Sequence, residues 1–258
     1  MTAQQVVRTA PVSPIQDFPV IAVMSRKGGS GKTTLSKILA SAAKAAGHSV
    51  LMVDVDPSRN LEGWRNRAAE AGAEMSGLDV QVPDDVEGIS ELLDAAYDRR
   101  SHDLAIVDTA GVGMGASERI AILADVVLVP SRLSETDLDT TLQTLSWFEG
   151  LRERTDDPSL LPELRVVVNG LQAKPSKAEK RALAAMVQRM PLAEVIVQHR
   201  QAYIDMDAEG PLGHIAEERG RSRNPLLRGH RARFAEAMEE AALLYRNLVG
   251  DIEHRRAA

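Results

Sequence analysis

Between Ser25 and Thr34 the chain reads Ser-Arg-Lys-Gly-Gly-Ser-Gly-Lys-Thr-Thr, a run whose residue types suit the holding of polyphosphate oxygens. Gly28, Gly29 and Gly31 let the backbone around Ser30 turn its N–H groups inward with no Cβ in the way. Lys32 supplies a cation for the β and γ phosphates, Thr33 a hydroxyl for a magnesium ion, and Thr34 a second hydroxyl beside it. A carboxylate for the same ion stands at Asp108, directly after the apolar run Leu104 Ala105 Ile106 Val107. Asp54 and Asp56, in Asp-Val-Asp-Pro, bring two further carboxylates with a spacing that reaches one magnesium–phosphate centre. Each of these acids has a plainer alternative as a turn residue at the end of a strand.

Such a centre needs a strand before it and a helix after it. Val20 to Met24 is an uninterrupted apolar run, and Leu35, Ile38, Leu39 and Ala42 recur at helical spacing behind the loop, so the positive end of a helix faces the anionic oxygens. Strand and helix then alternate. Strands are expected at Ser49–Asp54, Leu78–Val82 (an edge), Leu104–Val107, Val126–Val129, Leu164–Val168 and Val195–Val197. Helices are expected at Leu61–Glu70, Ile89–Arg99, Glu135–Arg152, Lys177–Met190 and His230–Ile252. The last helix gathers Phe234, Met238, Ala241, Tyr245, Leu248 and Ile252 on one face. Right-handed crossovers then give an α/β fold, a mostly parallel twisted sheet with helices on both faces. Ligands bind at the C-terminal edge of such sheets, where Asp54, Asp56 and Asp108 fall. Residues 1–17, with Pro11 and Pro14 and no periodic pattern, read as a mobile leader to a single domain spanning 18–258.

The 258 residues are 44% hydrophobic but only 3% aromatic, which calls for an aliphatic core of the kind parallel sheets bury. With no cysteine, disulfides and thiolate metal sites are excluded. No apolar segment reaches the roughly 18 residues a membrane span requires, and no basic-then-apolar signal opens the chain, so a cytoplasmic protein is expected. Net charge is −6, so any affinity for nucleic acid has to come from a local patch. One candidate is Arg219, Arg221, Arg223, Arg228, Arg231 and Arg233, a stretch with no acidic residue. Lacking interleaved aromatics, it suits sequence-tolerant contacts to double-stranded DNA. The plainer alternative is a solvated face neutralised by Glu217, Glu218 and Glu236. Glu236, Glu239 and Glu240 also favour packing of the last helix on the sheet over insertion into anionic lipid.

Where the common phosphate-loop pattern has its first glycine this chain has Arg26, and an additional lysine, Lys27, precedes the glycines. Lys-Gly-Gly-x-Gly-Lys-Thr-Thr resembles the deviant Walker A motif of the ParA/MinD family of ATPases. The resemblance extends through Asp-x-Asp-Pro, Val129 Pro130 Ser131, Asp137 Leu138, and Arg200 Gln201 Ala202 Tyr203 with Gly210, and covers Pro19 to Ile252. It implies ATP and Mg²⁺ as cofactors and a homodimer formed with ATP, in which Lys27 crosses to the partner's nucleotide. It further implies catalytic roles for Lys27, Lys32 and Asp56, with Asp56 acting on the attacking water and Asp54 supporting the metal's outer shell. Asn169, after Val166 Val167 Val168, would stand near the base, and the missing Asn-Lys-x-Asp sequence favours adenine over guanine. Asn60 Leu61, Trp64 Arg65, Asp139 and Ala237 Met238 Glu239 Glu240 narrow the resemblance to the VirC-type members. These imply DNA segregation or transfer, by plasmid partition or relaxosome recruitment, with an adaptor or relaxase-type protein partner. The alternative is a nucleotide-licensed scaffold or cargo-positioning ATPase that does not itself bind DNA.

Overall fold

The computed structural model describes residues 18–111 and 116–257; the leader read at residues 1–17 lies outside the described residues. Among the described residues seven strands form one sheet: β1 (Val20–Ser25), β2 (Val50–Asp54), β3 (Leu78–Gln81), β4 (Leu104–Gly111), β5 (Val126–Ser131), β6 (Glu163–Leu171) and β7 (Val197–Gln198). Every ladder is parallel, and the spatial order is β3-β2-β4-β1-β5-β6-β7. The chain moves outward from β1 to β3, returns to place β4 beside β1, and leaves on the other side. The order therefore reverses next to β1, where a crevice opens above the strand ends.

The strands are apolar at every position in the middle of the sheet because both faces are covered. Along β1, Ile21 and Val23 join one core cluster while Val20, Ala22 and Met24 join the other. The first face is covered by α1 (Lys32–Ala45), α2 (Asn60–Glu70), α7 (Gln201–Glu209), α8 (Leu212–Arg221) and α9 (Pro225–Ala257). The second is covered by α3 (Val86–Arg99), α4 (Ala116–Leu123), α5 (Glu135–Arg154) and α6 (Lys177–Arg189). Among the described residues, no helix is long and apolar enough to cross a membrane. The face expected for α9 is the one it buries, with Phe234, Ala241, Tyr245, Leu248 and Ile252 in the core.

Three differences from the expected elements matter for the site. Strands β4 and β6 run on to Gly111 and Leu171, so Asp108 and Asn169 lie within the ladders and not in the turns after them. Strand β7 pairs only from Val197, opposite Asn169, where β6 carries an irregularity between Asn169 and Leu171. Helix α9 begins at Pro225, five residues before the expected start: the proline occupies the first helical turn, and the Asn224 side chain accepts from Leu226 N at 3.0 Å.

Candidate active site

The loop from Arg26 to Gly31 joins the central strand to α1 over the crevice. Gly29 (φ 77°) and Gly31 (φ 100°) take left-handed backbone conformations that a side chain would strain. No heavy atom of the described residues lies within 4 Å of where a Cβ would stand on Gly28 or Gly29. At Gly31 a Cβ would meet Asn169 Nδ2 at 2.0 Å. That amide instead donates to Ser30 O at 3.1 Å, fastening β6 to the loop. Lys32 is buried, and its Nζ reaches back to Lys27 O at 3.4 Å. The Ser30 hydroxyl is buried without a hydrogen-bond partner among the described residues.

Beneath the loop stands Asp108, fully buried and in register with Asp54 on β2 and Val23 on β1. Its Oδ1 lies 3.2 Å from Ser36 Oγ, while its Oδ2 is buried with no hydrogen-bond partner among the described residues. Burial pushes its carboxyl up to about 7; the nearby Asp54 charge adds to the rise, and the hydroxyls of Thr33 and Ser36 and the Lys32 charge oppose it. A buried carboxylate oxygen without a partner, under a loop of inward donors and beside the Thr33 hydroxyl, fits a hard divalent cation carried by a polyphosphate. Among the described residues, no group of three or more His, Asp or Glu side chains gathers into a preformed metal site. A cation here would therefore draw ligands from the nucleotide as well as from the chain.

The other two acids are held by the loop after β2. Asp54 Oδ2 accepts from Leu61 N at 2.8 Å and Glu62 N at 3.2 Å, acting at a distance as the cap of α2, and its Oδ1 accepts from Asp56 N at 3.3 Å. Burial raises the Asp54 carboxyl despite these backbone donors. Asp54 thus fixes the loop's shape and, through it, the place of Asp56. The Asp56 carboxylate accepts from Ser58 N at 2.8 Å and is partly open to solvent.

Lys27 is engaged within its own chain. Its ammonium lies 2.7 Å from Asp137 Oδ1, in the first turn of α5, where Ser134 caps the helix by accepting from Asp137 N. Burial would raise the Asp137 carboxyl, but hydrogen bonds from Lys27 and Ser134 and the charges of Lys27 and Arg132 together hold it below the usual carboxylate range. Asp137 also lines a cavity of about 660 Å³ that opens beside the loop, with Gly31, Thr34, Asn169, Arg200 and Tyr203 among its walls. In the sequence Asp137, Arg200 and Tyr203 stand only in family motifs. Their joint place on this cavity comes from the ends of β5 and β7, after which α5 and α7 begin.

The arginine stretch is less uniform than its sequence suggests. Arg219 is engaged by Glu209 at 2.6 Å, and Arg221 pairs with Glu217 at 3.1 Å and Glu218 at 3.5 Å. Part of the charge expected of the patch is therefore neutralised locally, because α8 returns Glu217 and Glu218 to the arginine one turn later. Arg223, Arg231 and Arg233 are exposed and make no ion pair among the described residues. The Arg228 side chain lies outside the described residues. Glu236, which could have served this patch, is drawn instead to Arg200 at 3.0 Å.

The family model for the VirC1 protein matches residues 18–254. Protein virC1 of Rhizobium rhizogenes is 28% identical over 236 residues, covering 90% of this chain and 97% of the relative. Protein ParA of Rhizobium radiobacter is 31% identical over 145 residues, 54% of this chain and 60% of that protein. Among solved structures, pnob8 ParA superposes with a TM-score of 0.65 at 16% identity, over 90% of this chain and 99% of its own. The septum site-determining protein MinD of Pyrococcus horikoshii, complexed with Mg-ADP, gives 0.59 at 16% identity, over 91% of this chain and 98% of its own. These two likenesses show the fold.

Proposed function

The chain belongs to the VirC1 family of ParA-like ATPases, and on that footing we propose that it is a magnesium-dependent ATP hydrolase. In this proposal it pairs around two nucleotides and holds double-stranded DNA in the paired state. The observation that carries this reading is the second lysine, Lys27, placed on the rim of the cradle, with the unpartnered Asp108 oxygen at its base. The MinD relative that holds Mg-ADP on this fold supports the choice of ligand.

The cradle's backbone donors around Gly28 to Gly31, with Lys32, would bind the phosphates, and Thr33 and Asp108 would hold the cation. Bound magnesium would neutralise charge on the β and γ oxygens. Asp56, held in place by Asp54, would orient the attacking water by accepting its hydrogen bond. Thr34 and Asn169 would line the nucleoside side of the site. Lys27 would leave Asp137 and complete the partner's site, so that pairing and hydrolysis depend on one residue. Arg223, Arg228, Arg231 and Arg233 would contact DNA phosphates, with Arg219 and Arg221 contributing once their carboxylate partners are displaced.

One observation favours a second reading, in which nucleotide licenses binding to an adaptor or relaxase-type protein and not to DNA: Arg219 and Arg221 already form ion pairs with Glu209, Glu217 and Glu218. Steady-state ATP hydrolysis and sedimentation, each with and without duplex DNA, test the first reading against the second. DNA-stimulated turnover with a nucleotide-dependent dimer on DNA is expected. A dimer that ignores DNA of any sequence would leave the scaffold reading in place.

A further inference from the structure

The cavity beside the phosphate loop and the helix that carries Arg231 and Arg233 are joined through one carboxylate. Glu240, on α9, has a side chain only 9% exposed. It accepts from Gln198 N at 3.0 Å, from Tyr203 Oη at 2.7 Å, and from Arg200 Nη2 at 3.1 Å. Gln198, Arg200 and Tyr203 are all walls of the cavity. The same Arg200 reaches one turn further back along α9, to Glu236 at 3.0 Å. Glu236 is 64% exposed and stands three residues after Arg233.

A carboxylate largely shielded from solvent and held by four hydrogen bonds from three residues is expensive to disturb, because loss of a donor leaves charge less well compensated away from water. The group can therefore transmit a change in its donors. A ligand in the cavity that draws the Arg200 guanidinium inward weakens its hold on Glu240, which alters the seat of the helix that carries the arginines. Tyr203 keeps Glu240 attached to α7 meanwhile, and burial with the Glu240 charge beside it raises that phenol well above its ordinary range, so it remains a donor.

We propose that Glu240 is a positioning residue that couples occupancy of the cavity to the affinity of the arginine-bearing helix for DNA. The proposal rests on the reading above, that nucleotide enters this cavity and that α9 meets duplex DNA. Coupling between two ligands is reciprocal: nucleotide must change DNA affinity by the same factor as DNA changes nucleotide affinity.

The test measures that factor in the full chain, from fluorescence anisotropy of a labelled duplex with and without a non-hydrolysable ATP analogue and magnesium. Glu240→Gln keeps an acceptor for Gln198 N and Tyr203 but removes the charge that holds Arg200. Tyr203→Phe removes one donor and leaves the charge. Thermal melts confirm that both variants are folded before the comparison. The coupling factor is expected to fall at least fivefold in Glu240→Gln and about twofold in Tyr203→Phe, with DNA affinity in the absence of nucleotide moved less than either. A wild-type chain with no coupling would overturn both this inference and the functional reading on which it rests. A coupled wild type whose two folded variants keep the same factor would overturn the inference alone.

Discussion

Lys27 Nζ lies 2.7 Å from Asp137 Oδ1, so the lysine that the functional reading assigns to a neighbouring protomer is held by its own α5. The pair is lopsided: the lysine is 36% exposed and the aspartate 8%. Solvent screening keeps such a pair to about 0.5–1 kcal/mol. That is large enough to hold Lys27 in the isolated chain and small enough for a partner's nucleotide to displace it. Asp137→Asn is expected to lower the ATP concentration needed for half-maximal dimerisation by about two- to fivefold, read by light scattering across a nucleotide titration. A raised requirement would mean that Asp137 helps the paired state.

Asp108 is expected to make the nucleotide-free protein sensitive to pH. Its carboxyl is raised in the folded chain, so its stabilising share is complete below the ordinary carboxylate range. That share is lost as the pH climbs toward about 7. The loss amounts to on the order of 4 kcal/mol at mildly alkaline pH. In chelator, the melting temperature should therefore fall between about pH 5 and 8, and Asp108→Asn should flatten that fall while weakening magnesium-dependent nucleotide binding. Parallel melting curves for the two proteins in chelator would place the titration elsewhere.

Gly31 is confined twice, by a φ of 100° and by Asn169 Nδ2 at 2.0 Å from any Cβ. Backbone strain of this kind costs about 1–3 kcal/mol, and the clash adds to it. Gly31→Ala should lower nucleotide affinity by at least a hundredfold in calorimetric titration. Combining it with Asn169→Ala should recover only part, because the second change relieves the clash and leaves φ as it was. Full recovery would show that strain at Gly31 is immaterial.

Asp56 and Lys32 should separate hydrolysis from binding. Asp56→Ala is expected to slow turnover at least tenfold with ATP affinity changed less than threefold, since the carboxylate would act on water and not on the bound ground state. Lys32→Ala should lose tight ATP binding altogether. Single-turnover kinetics beside equilibrium binding make the distinction, and ordinary turnover in Asp56→Ala would move the role to another group.

The strands and the phosphate loop were legible in the sequence because buried parallel strands are continuous apolar runs and the loop's glycines are tied to particular backbone angles. Helices α4, α7 and α8 were not read. They are eight, nine and ten residues long, and α7 offers only Ala202, Tyr203 and Met206 to the core, too few to set a period. The pairings that shape the site were hidden for another reason. Glu240 meets Arg200 across 40 residues and Asp137 meets Lys27 across 110, so only the sheet order brings them together. The family resemblance implies a place for Asp54 in the metal's outer shell, and the sequence alone leaves it open as a turn residue. Its backbone donors, Leu61 N and Glu62 N, became visible only with the bend that follows β2.

The arginine patch carries a quantitative expectation. With about three phosphates neutralised per protomer, a dimer on duplex DNA should show a slope near −5 in log affinity against log salt, and a monomer about half that. Replacing Arg223, Arg228, Arg231 and Arg233 by alanine should flatten the slope for every duplex sequence, because phosphate contacts carry no base information. Adding Arg219→Ala and Arg221→Ala should matter less, since those two are engaged by Glu209, Glu217 and Glu218. An unchanged slope in the fourfold variant would return the patch to an ordinary solvated face.

If nucleotide pairs two copies of this chain through Lys27, sedimentation velocity with ATP and magnesium will show it. The wild-type chain should move from monomer to dimer on addition of nucleotide, while Lys27→Ala should bind nucleotide, remain monomeric and fail to hydrolyse it. A Lys27→Ala chain that dimerises and turns over ATP like the wild type would contradict the account.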